Sequence, residues 1–598
     1  MATSQTGSGP TVRIGGASAG LSDGAWAGPQ LVRDGAVDYV MFDFLSEYYM
    51  PIAGRQRRQD PNAGFTRDFT DDVFPSFVVE QLARGVKVVT NAGAVNARAA
   101  AAAMQAAAAR VGASPRIAVV EGDDLLARAD DLLRAGRITA TPPDGGFTGV
   151  NAYLGAFPIA RALAMGADVV VTGRVVDSAL ALGPLIHAFG WRPDDYDRMA
   201  AGALIGHLLE CGAQASGGLF TDWREVTDYS NIGYPIAECS ADGSAVITKP
   251  PGAGGLVSIG SVAEQLMYEI HDPRRYLLPD VAADFSQVGF SQVGPDRVRV
   301  EGAKGRPPGP DYKAIATWDE GWMMSYGFIM RGPDAADKAR AIVNSVLKRT
   351  ANMLRARNIA PVRRSRVEII GDDESFGAQA RPRNSREVFC RVALEHEDPR
   401  AFGLILREQT TSVVSMAPGI AGSLMLSRGE AQPIGRSEAF FLPAGEVPAT
   451  VSLGDIHETV TRSTHRAHAT LDAAPTPPAP TQRADANVPL GRLAWARSGD
   501  KGDICNVGVV ARRPEYLPYI AAAMDEETIA RHYAHMFGEG GGRVRRFYLP
   551  GSAALNFLLE GALDGGCNVS LTFDPFGKSA AQEVLDFPIP IPAALAPR

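Results

Sequence analysis

Short, nearly unbroken apolar runs punctuate the N-terminal part of the chain: Tyr39–Phe42, Val86–Thr90, Ile117–Val120 and Val169–Thr172, with a further β-rich run at Thr11–Gly15. Such runs, bounded by turn residues, are what strands buried on both faces look like. Each gives way to small or polar residues: Gly15-Gly16-Ala17-Ser18-Ala19-Gly20, Asp43, Asn91-Ala92-Gly93, Glu121-Gly122-Asp123-Asp124 and Gly173-Arg174. Helical stretches follow, including an alanine-rich one from Asn96 to Val111 and one from Asp177 to Phe189. Alanine's helix propensity accounts for the first without a functional role. Strand, loop and helix, repeated five times, predict a parallel sheet with helices on both faces and right-handed crossovers.

The pattern changes near residue 236. Val257–Glu264, Tyr268–Tyr276, a valine-rich alternation from Val288 to Val300, a helix over Lys338–Asn358 and strands at Val367–Gly371 and Arg386–Glu395 predict an α+β section. Pro475, Pro477, Pro478 and Pro480 then fall within one short apolar-poor stretch. Proline fixes φ and removes a donor, so this segment reads as a linker. Beyond it, strands are expected at Leu490–Arg497, Asn506–Arg512, Arg543–Tyr548 and Asn568–Phe573, with helices at Leu517–Ala523 and Glu527–Phe537. That is a small antiparallel sheet with two helices on one face. The expected division is a parallel α/β domain at 1–235, an α+β section at 236–470, a linker at 471–487 and a small α+β domain at 488–598.

Composition narrows the function classes. The chain has 598 residues, 45% hydrophobic and 21% charged, which suits large globular cores and excludes a mainly disordered or coiled-coil chain. A net charge of −8 argues against nucleic acid as the main partner. Cys211, Cys239, Cys390, Cys505 and Cys567 form no CxxC pair, so neither a disulfide framework nor a structural zinc site is expected, and no metal is assigned. Residues 1–10 lack a basic start and an apolar stretch, and Tyr153–Thr172 is interrupted by Arg161 and Asp168. No signal peptide and no membrane span are expected, and the cytoplasm is the default location.

Several longer motifs are recognisable. Val12–Asp23 (VRIGGASAGLSD), Asn91–Asn96 (NAGAVN), Thr172–Trp191 (TGRVVDSALALGPLIHAFGW) and Gly206–Gly218 (GHLLECGAQASGG) resemble the acyclic terpene utilisation (AtuA) family. Arg497–Asn506 (RSGDKGDICN) and Leu549–Asn556 (LPGSAALN) resemble the small ferredoxin-like domain that accompanies it. The resemblance implies an α/β fold with a parallel-sheet N-terminal domain, an α+β middle section and a small C-terminal ferredoxin-like α+β domain. It also implies a setting in the catabolism of acyclic terpenoids, beside acyl-CoA enzymes and carboxylases. It does not supply a chemical step.

Candidate chemistry comes from the rule that open parallel sheets bind ligands beyond the carboxyl ends of their strands. That rule selects Ser18, Asp23, Asp43, Glu47, Asn91, Asn96, Glu121, Asp123, Arg174 and Asp177. The Gly15–Gly20 turn can offer amides to an anion or can be a tight packing turn; it is not a Walker loop. Arg174 and Asp177, three apart, form either a fork for a carboxylate ligand or a structural ion pair. His207, Glu210 and Cys211 share one helical face. They read as a base, its orienter and a nucleophile, or as a packed histidine and a buried thiol. Asp500 and Lys501, in a stretch read as a charged turn, either cradle an anion or dock the tail domain. His465 and His468, just before the linker, are expected in solvent.

These readings combine into an expected function. Catalytic roles fall to His207, Glu210, Asp177 and Cys211; substrate binding falls to Arg174, Asn91, Asn96, Ser18, Asp43, Lys501 and Asp500. The chain is read as a catabolic enzyme of acyclic terpenoid or branched acyl-chain degradation. Its chemistry would be acid–base, of hydratase, dehydratase or lyase type, on a carboxylated or CoA-linked intermediate. The alternative is a non-catalytic ligand-binding or scaffolding subunit of an acyl-CoA carboxylase or dehydrogenase complex. No cofactor is evident beyond the CoA moiety of such a substrate. The expected partner is a small-molecule acyl-CoA or organic acid, and the expected assembly a homo-oligomer. A nucleotide-dependent or redox enzyme fits less well, for want of a Walker loop, a clean GxGxxG or a cysteine cluster.

Overall fold

The computed structural model describes residues 11–597 apart from 144, 382–383, 423–428, 463–470, 472 and 539. His465 and His468 lie outside the described residues. Five parallel strands form the centre of an eleven-stranded sheet: β1 (Val12–Ala19), β2 (Tyr39–Asp43), β3 (Lys87–Thr90), β4 (Ile117–Glu121) and β5 (Val169–Thr172), in the spatial order β1-β2-β3-β5-β4. Their side chains are buried on both faces, which explains the unbroken apolar runs.

Antiparallel strands extend the sheet on both sides. Ile236–Cys239, Ala245–Thr248, Arg297–Glu301 and Gly289–Gly294 continue it from β1, and Ala449–Leu453 and Ile456–Val460 from β4. The first sheet thus runs through the sequence position where the pattern changes. A second sheet is built on the 21-residue strand Asp311–Arg331, which pairs with Glu387–His396, Gln432–Pro443 and, from the N-terminal part, Phe147–Ala152. The helices Ala335–Ala356 and Arg400–Ser415 pack with it.

The expected turn at Gly15–Gly20 is a strand instead. β1 continues to Ala19, with Gly15 in register between β2 and Ile236–Cys239 and Gly16 opposite Met41 of β2. A Cβ on Gly16 would collide with the carbonyl of Leu209, and one on Gly15 with the Leu31 side chain, so the two glycines let the helices Tyr196–Leu209 and Ala27–Asp34 lie close to the sheet. Their role is close packing, and no anion-binding turn forms there.

The C-terminal sheet has the order Ala494–Lys501, Ile504–Ala511, Ala554–Glu560, Arg543–Leu549, all antiparallel, with helices at Leu517–Ala523 and Glu526–His532. Two expectations fail here. Asn568–Phe573 contains no strand, and the fourth strand is Ala554–Glu560. Arg497–Lys501 is strand and not turn; Gly502-Asp503 makes the hairpin bend. The charged residues survive in the strand because one face of this sheet rests on another part of the protein. Cys505, Val507 and Val509 enter the domain's own core, while Gly508 lies against Met267 of the helix Ile259–Met267. That period-two division is the ordinary alternation of a strand.

Polar bonds fix the docking. Asn506 donates to Met267 O (2.7 Å), and Asn556 donates to Ile270 O (3.0 Å) and His271 O (2.8 Å). Arg512 grips Asp222 through two bonds of 2.6 Å. Among the described residues no helix is long and apolar enough to cross a membrane.

Candidate functional site

The carboxyl ends of the parallel strands face the docked C-terminal sheet, and chemistry-bearing side chains collect between them. At the end of β2, Asp43 is buried and accepts a 2.6 Å bond from Asn91 Nδ2. Asn91 Oδ1 in turn accepts from Phe44 N (2.8 Å), and Ser18 Oγ donates to Asp43 O (2.9 Å). Burial, reinforced by the charges of Asp177 and Glu210, pushes the Asp43 carboxyl well above the usual range. Asn91 and Ser18 therefore brace Asp43, buried at 0% and 1% exposure.

Arg174 follows β5. Its amide donates to Asp123 (2.9 Å), which Asn151 also bonds (2.9 Å). Its guanidinium donates to Leu45 O and to Asp177 Oδ1, both at 3.1 Å, and lies 4.2 Å from the centre of the Tyr153 ring. Nε is buried with no partner among the described residues. Lys313, from the long strand of the second sheet, approaches the same Tyr153 ring at 5.0 Å and pairs with Glu47 at 3.3 Å. Burial pushes Glu47 up, but Lys313, Lys501 and Arg174 outweigh it and hold the carboxyl below its ordinary value.

The helix Tyr196–Leu209 ends by delivering Glu210 and Cys211 to this crevice. His207 is fully buried, with Nδ1 3.0 Å from Glu210 Oε1 and Nε2 3.1 Å from Leu266 O. Both ring nitrogens are occupied, so His207 is not placed to take a proton from a substrate. It orients Glu210, the reverse of the expected roles. The second oxygen of Glu210, Oε2, is buried and unpartnered among the described residues. Burial, with Asp177 adding to it, raises the Glu210 carboxyl above its usual value despite His207 and Lys501. Burial and the charges of Glu210 and Glu269 push the Cys211 thiol well up. A nucleophilic cysteine needs the opposite, so Cys211 is not an activated thiolate.

The C-terminal domain supplies Lys501, which donates to Glu269. Asp500, beside it, is raised to about 7 by burial and then by Glu269. Lys501 also acts electrostatically on Asp177, Glu210 and Tyr276. Glu269 has φ 57°, a left-handed backbone costly for a non-glycine residue, and its amide is held by Asn506 Oδ1 at 2.9 Å. Asn568 of the C-terminal domain donates to Glu47 O (2.8 Å).

The strand-end rule also selected residues that lie elsewhere in function. Asn96 caps the helix Ala97–Arg110 and donates to Pro61 O and Ala63 O, both at 2.9 Å. Asp23 closes its own turn and accepts from Tyr234 OH (3.1 Å), while Glu121 pairs with Arg98. Conversely, Tyr153, Glu269, His271, Tyr276 and Lys313 were not selected from sequence. Their signals lie outside the strand–helix repeat, in segments of mixed composition where no local rule marks a site. Among the described residues no cluster suited to a metal ion occurs.

This arrangement can hold an anionic group against Arg174, Lys313 and Lys501, and can move protons through Glu210 and Asp43. The model of the acyclic terpene utilisation family protein AtuA matches residues 12–453, and that of the AtuA ferredoxin-like domain matches residues 488–590. Comparison with curated proteins and with solved structures gives no significant match. The chain belongs to the acyclic terpene utilisation family, and with it to a catabolic role.

Proposed function

We propose that the protein is a catabolic enzyme of acyclic terpenoid or branched acyl-chain degradation, performing acid–base chemistry of hydratase, dehydratase or lyase type on a carboxylated or CoA-linked intermediate. One observation carries this reading: Glu210 Oε2 is buried and unpartnered while Oε1 is held by His207. A carboxyl oriented on one side, left open on the other and raised by burial has the form of a proton-transfer group. Asp177 shares the same field, and its carboxylate ties down the Arg174 guanidinium, which then presents its remaining N–H groups to a substrate carboxylate or carbonyl. Lys501 adds a positive charge from the C-terminal domain.

The test is turnover of branched and isoprenoid acyl-CoA thioesters by Glu210→Gln. That substitution keeps shape and an acceptor for His207 but cannot carry the proton. A loss of about 10²–10⁴ in kcat is expected. Wild-type turnover in the folded variant would refute the reading. The alternative, a non-catalytic subunit, draws support from the ion pairs Lys501–Glu269 and Lys313–Glu47, which already neutralise two of the cations. Absence of turnover by the wild type across the whole panel would favour it.

A further inference from the structure

The C-terminal domain contains a long irregular segment. Residues 561–579, between the strand Ala554–Glu560 and the helix Ala580–Val584, hold neither helix nor strand. Connections beyond ~12–15 residues without regular structure are uncommon in compact domains, and the ordered ones are usually functional. Both ends of this one are pinned inside its own domain. Asp503 Oδ1 accepts from Leu563 N (3.1 Å) and Gly565 N (2.9 Å), and Asp574 Oδ2 accepts from Ser579 N (2.7 Å) and Ser579 Oγ (2.6 Å).

Between those anchors the segment crosses from one part of the main body to another. Its backbone docks on the second sheet: Val569 O accepts from Arg364 (3.2 Å), Leu571 O accepts from Arg391 (2.7 Å), and Phe573 N donates to Glu368 (3.1 Å). Two of its side chains turn to the loop that follows β2. Asn568 Nδ2 donates to Glu47 O (2.8 Å), and the Phe576 ring meets the Tyr48 ring edge-on at 5.9 Å. That loop also orients two cations of the crevice. Leu45 O accepts from Arg174 at 3.1 Å, and the Glu47 carboxylate pairs with Lys313 at 3.3 Å. At its start, Asn91 Oδ1 and Asp43 Oδ1 hold the amides of Phe44 (2.8 Å) and Leu45 (3.2 Å). At its far end, the C-terminal domain holds it through Asn568.

We propose that Asn568 is a positioning residue of the crevice, acting through the 44–48 loop on Arg174 and Lys313. Its grip on the Glu47 carbonyl fixes the Leu45 carbonyl against one cation and the Glu47 carboxylate against the other. The inference rests on the reading given above, in which the crevice takes a carboxylated or CoA-linked ligand. Nε of Arg174 is buried without a partner among the described residues, so Leu45 O, Asp177 and the Tyr153 ring orient its head. Lys313 is a point charge on a flexible stem, and Glu47 orients it. With the loop held, both cations meet an anionic ligand without a further ordering cost. Asn568 takes no part in proton transfer, so its loss weakens binding and leaves Glu210 in place.

The experiment compares wild type with Asn568→Ala, Asn568→Leu and Glu210→Gln. Leucine fills the space of asparagine but cannot donate. Thr572→Val is the control; its hydroxyl lies 2.9 Å from Ser570 Oγ in the same segment. The readouts are calorimetric Kd for isovaleryl-CoA and longer isoprenoid acyl-CoA thioesters, KM and kcat on that panel, and amide hydrogen exchange at residues 44–48. Both Asn568 variants should raise Kd and KM by about 3–10-fold, the worth of one hydrogen bond, with kcat little changed. Exchange at 44–48 should quicken by a similar factor, while the helix Ala97–Arg110 and the Thr572→Val protein keep wild-type exchange. Glu210→Gln should show the opposite split, with binding kept and kcat lost. Wild-type Kd and exchange in folded Asn568→Leu would overturn this inference and leave the Glu210 reading intact. So would a fall in kcat alone, or a leucine variant that recovers what alanine loses, since asparagine would then only fill space. If wild type binds the thioesters without turnover, the enzyme reading falls, and the same Kd and exchange ratios still decide this one. No binding by wild type would remove both.

Discussion

Lys501, on the hairpin of the C-terminal domain, donates to Glu269, a residue of the main body whose backbone lies at φ 57°. One ion pair therefore joins the two domains at the crevice itself. Replacing Lys501 with Met leaves the Glu269 carboxylate with less compensation. Lys501 keeps 39% of its side chain exposed, so the expected loss is about 1–2 kcal/mol, between the figures for exposed and for sealed pairs. Urea denaturation of K501M, E269Q and the double variant checks this. The double variant should recover part of the loss, because it removes the orphaned charge.

His207 packs against the Tyr276 and Phe285 rings, which also touch each other, with both nitrogens bonded. Glutamine reaches Glu210 or Leu266 O but not both, and leaves one buried group without a partner. His207→Gln should therefore lower stability by about 1–3 kcal/mol. Its kcat, measured well below the new melting temperature, should fall less than that of Glu210→Gln. Equal losses would return His207 to a direct role.

Burial raises Asp123 to about 7, although Arg174 N and Asn151 donate to it. The folded state keeps this proton up to about pH 7, whereas an unfolded aspartate loses it near pH 4. Between those values the folded state binds more protons, so this group's contribution to stability falls as pH rises through the window. Glu264, also raised to about 7, and Asp280, raised to about 6, act in the same direction. Melting temperatures recorded from pH 5 to 8 should show a weaker decline for Asp123→Asn than for wild type. An unchanged slope would place the proton elsewhere.

Residues 473–480 carry no regular structure and are mostly exposed. Limited proteolysis should cut there first, because such backbone has few packed contacts. The two fragments should still elute together, held by Arg512–Asp222, by Asn506 and Asn556, and by the Ser552–Val288 bond. First cuts within 150–230, or separation of the fragments without denaturant, would contradict the docking described.

The central strands were readable because burial on both faces leaves a local trace: Val169–Thr172 admits nothing polar before its last residue. The pairing of Arg174 with Asp177 was readable for the same reason, since three residues of separation fix their distance. Lys501 was visible as a charge, but its place in a strand was not. A strand whose outer face rests on a distant helix looks, in isolation, like a solvated turn. Glu269 was not legible at all, because its meaning depends on Lys501, which the chain brings near only through the docked C-terminal sheet. The reversal of roles between His207 and Glu210 was equally hidden, because the spacing of three fixes their contact but not which of them faces the crevice.

The pairing of Ala449–Leu453 with β4 has a consequence for synthesis. Roughly 330 residues separate Glu121 from its partner Thr450, which at about 5–20 residues per second leaves β4 without its outer neighbour for about 15–65 s of translation. During that interval a flat, valine-rich edge is exposed on the nascent chain, the kind of surface that recruits foreign strands. The ribosome-bound N-terminal half should therefore be a client of holding chaperones until the chain returns to close its own sheet.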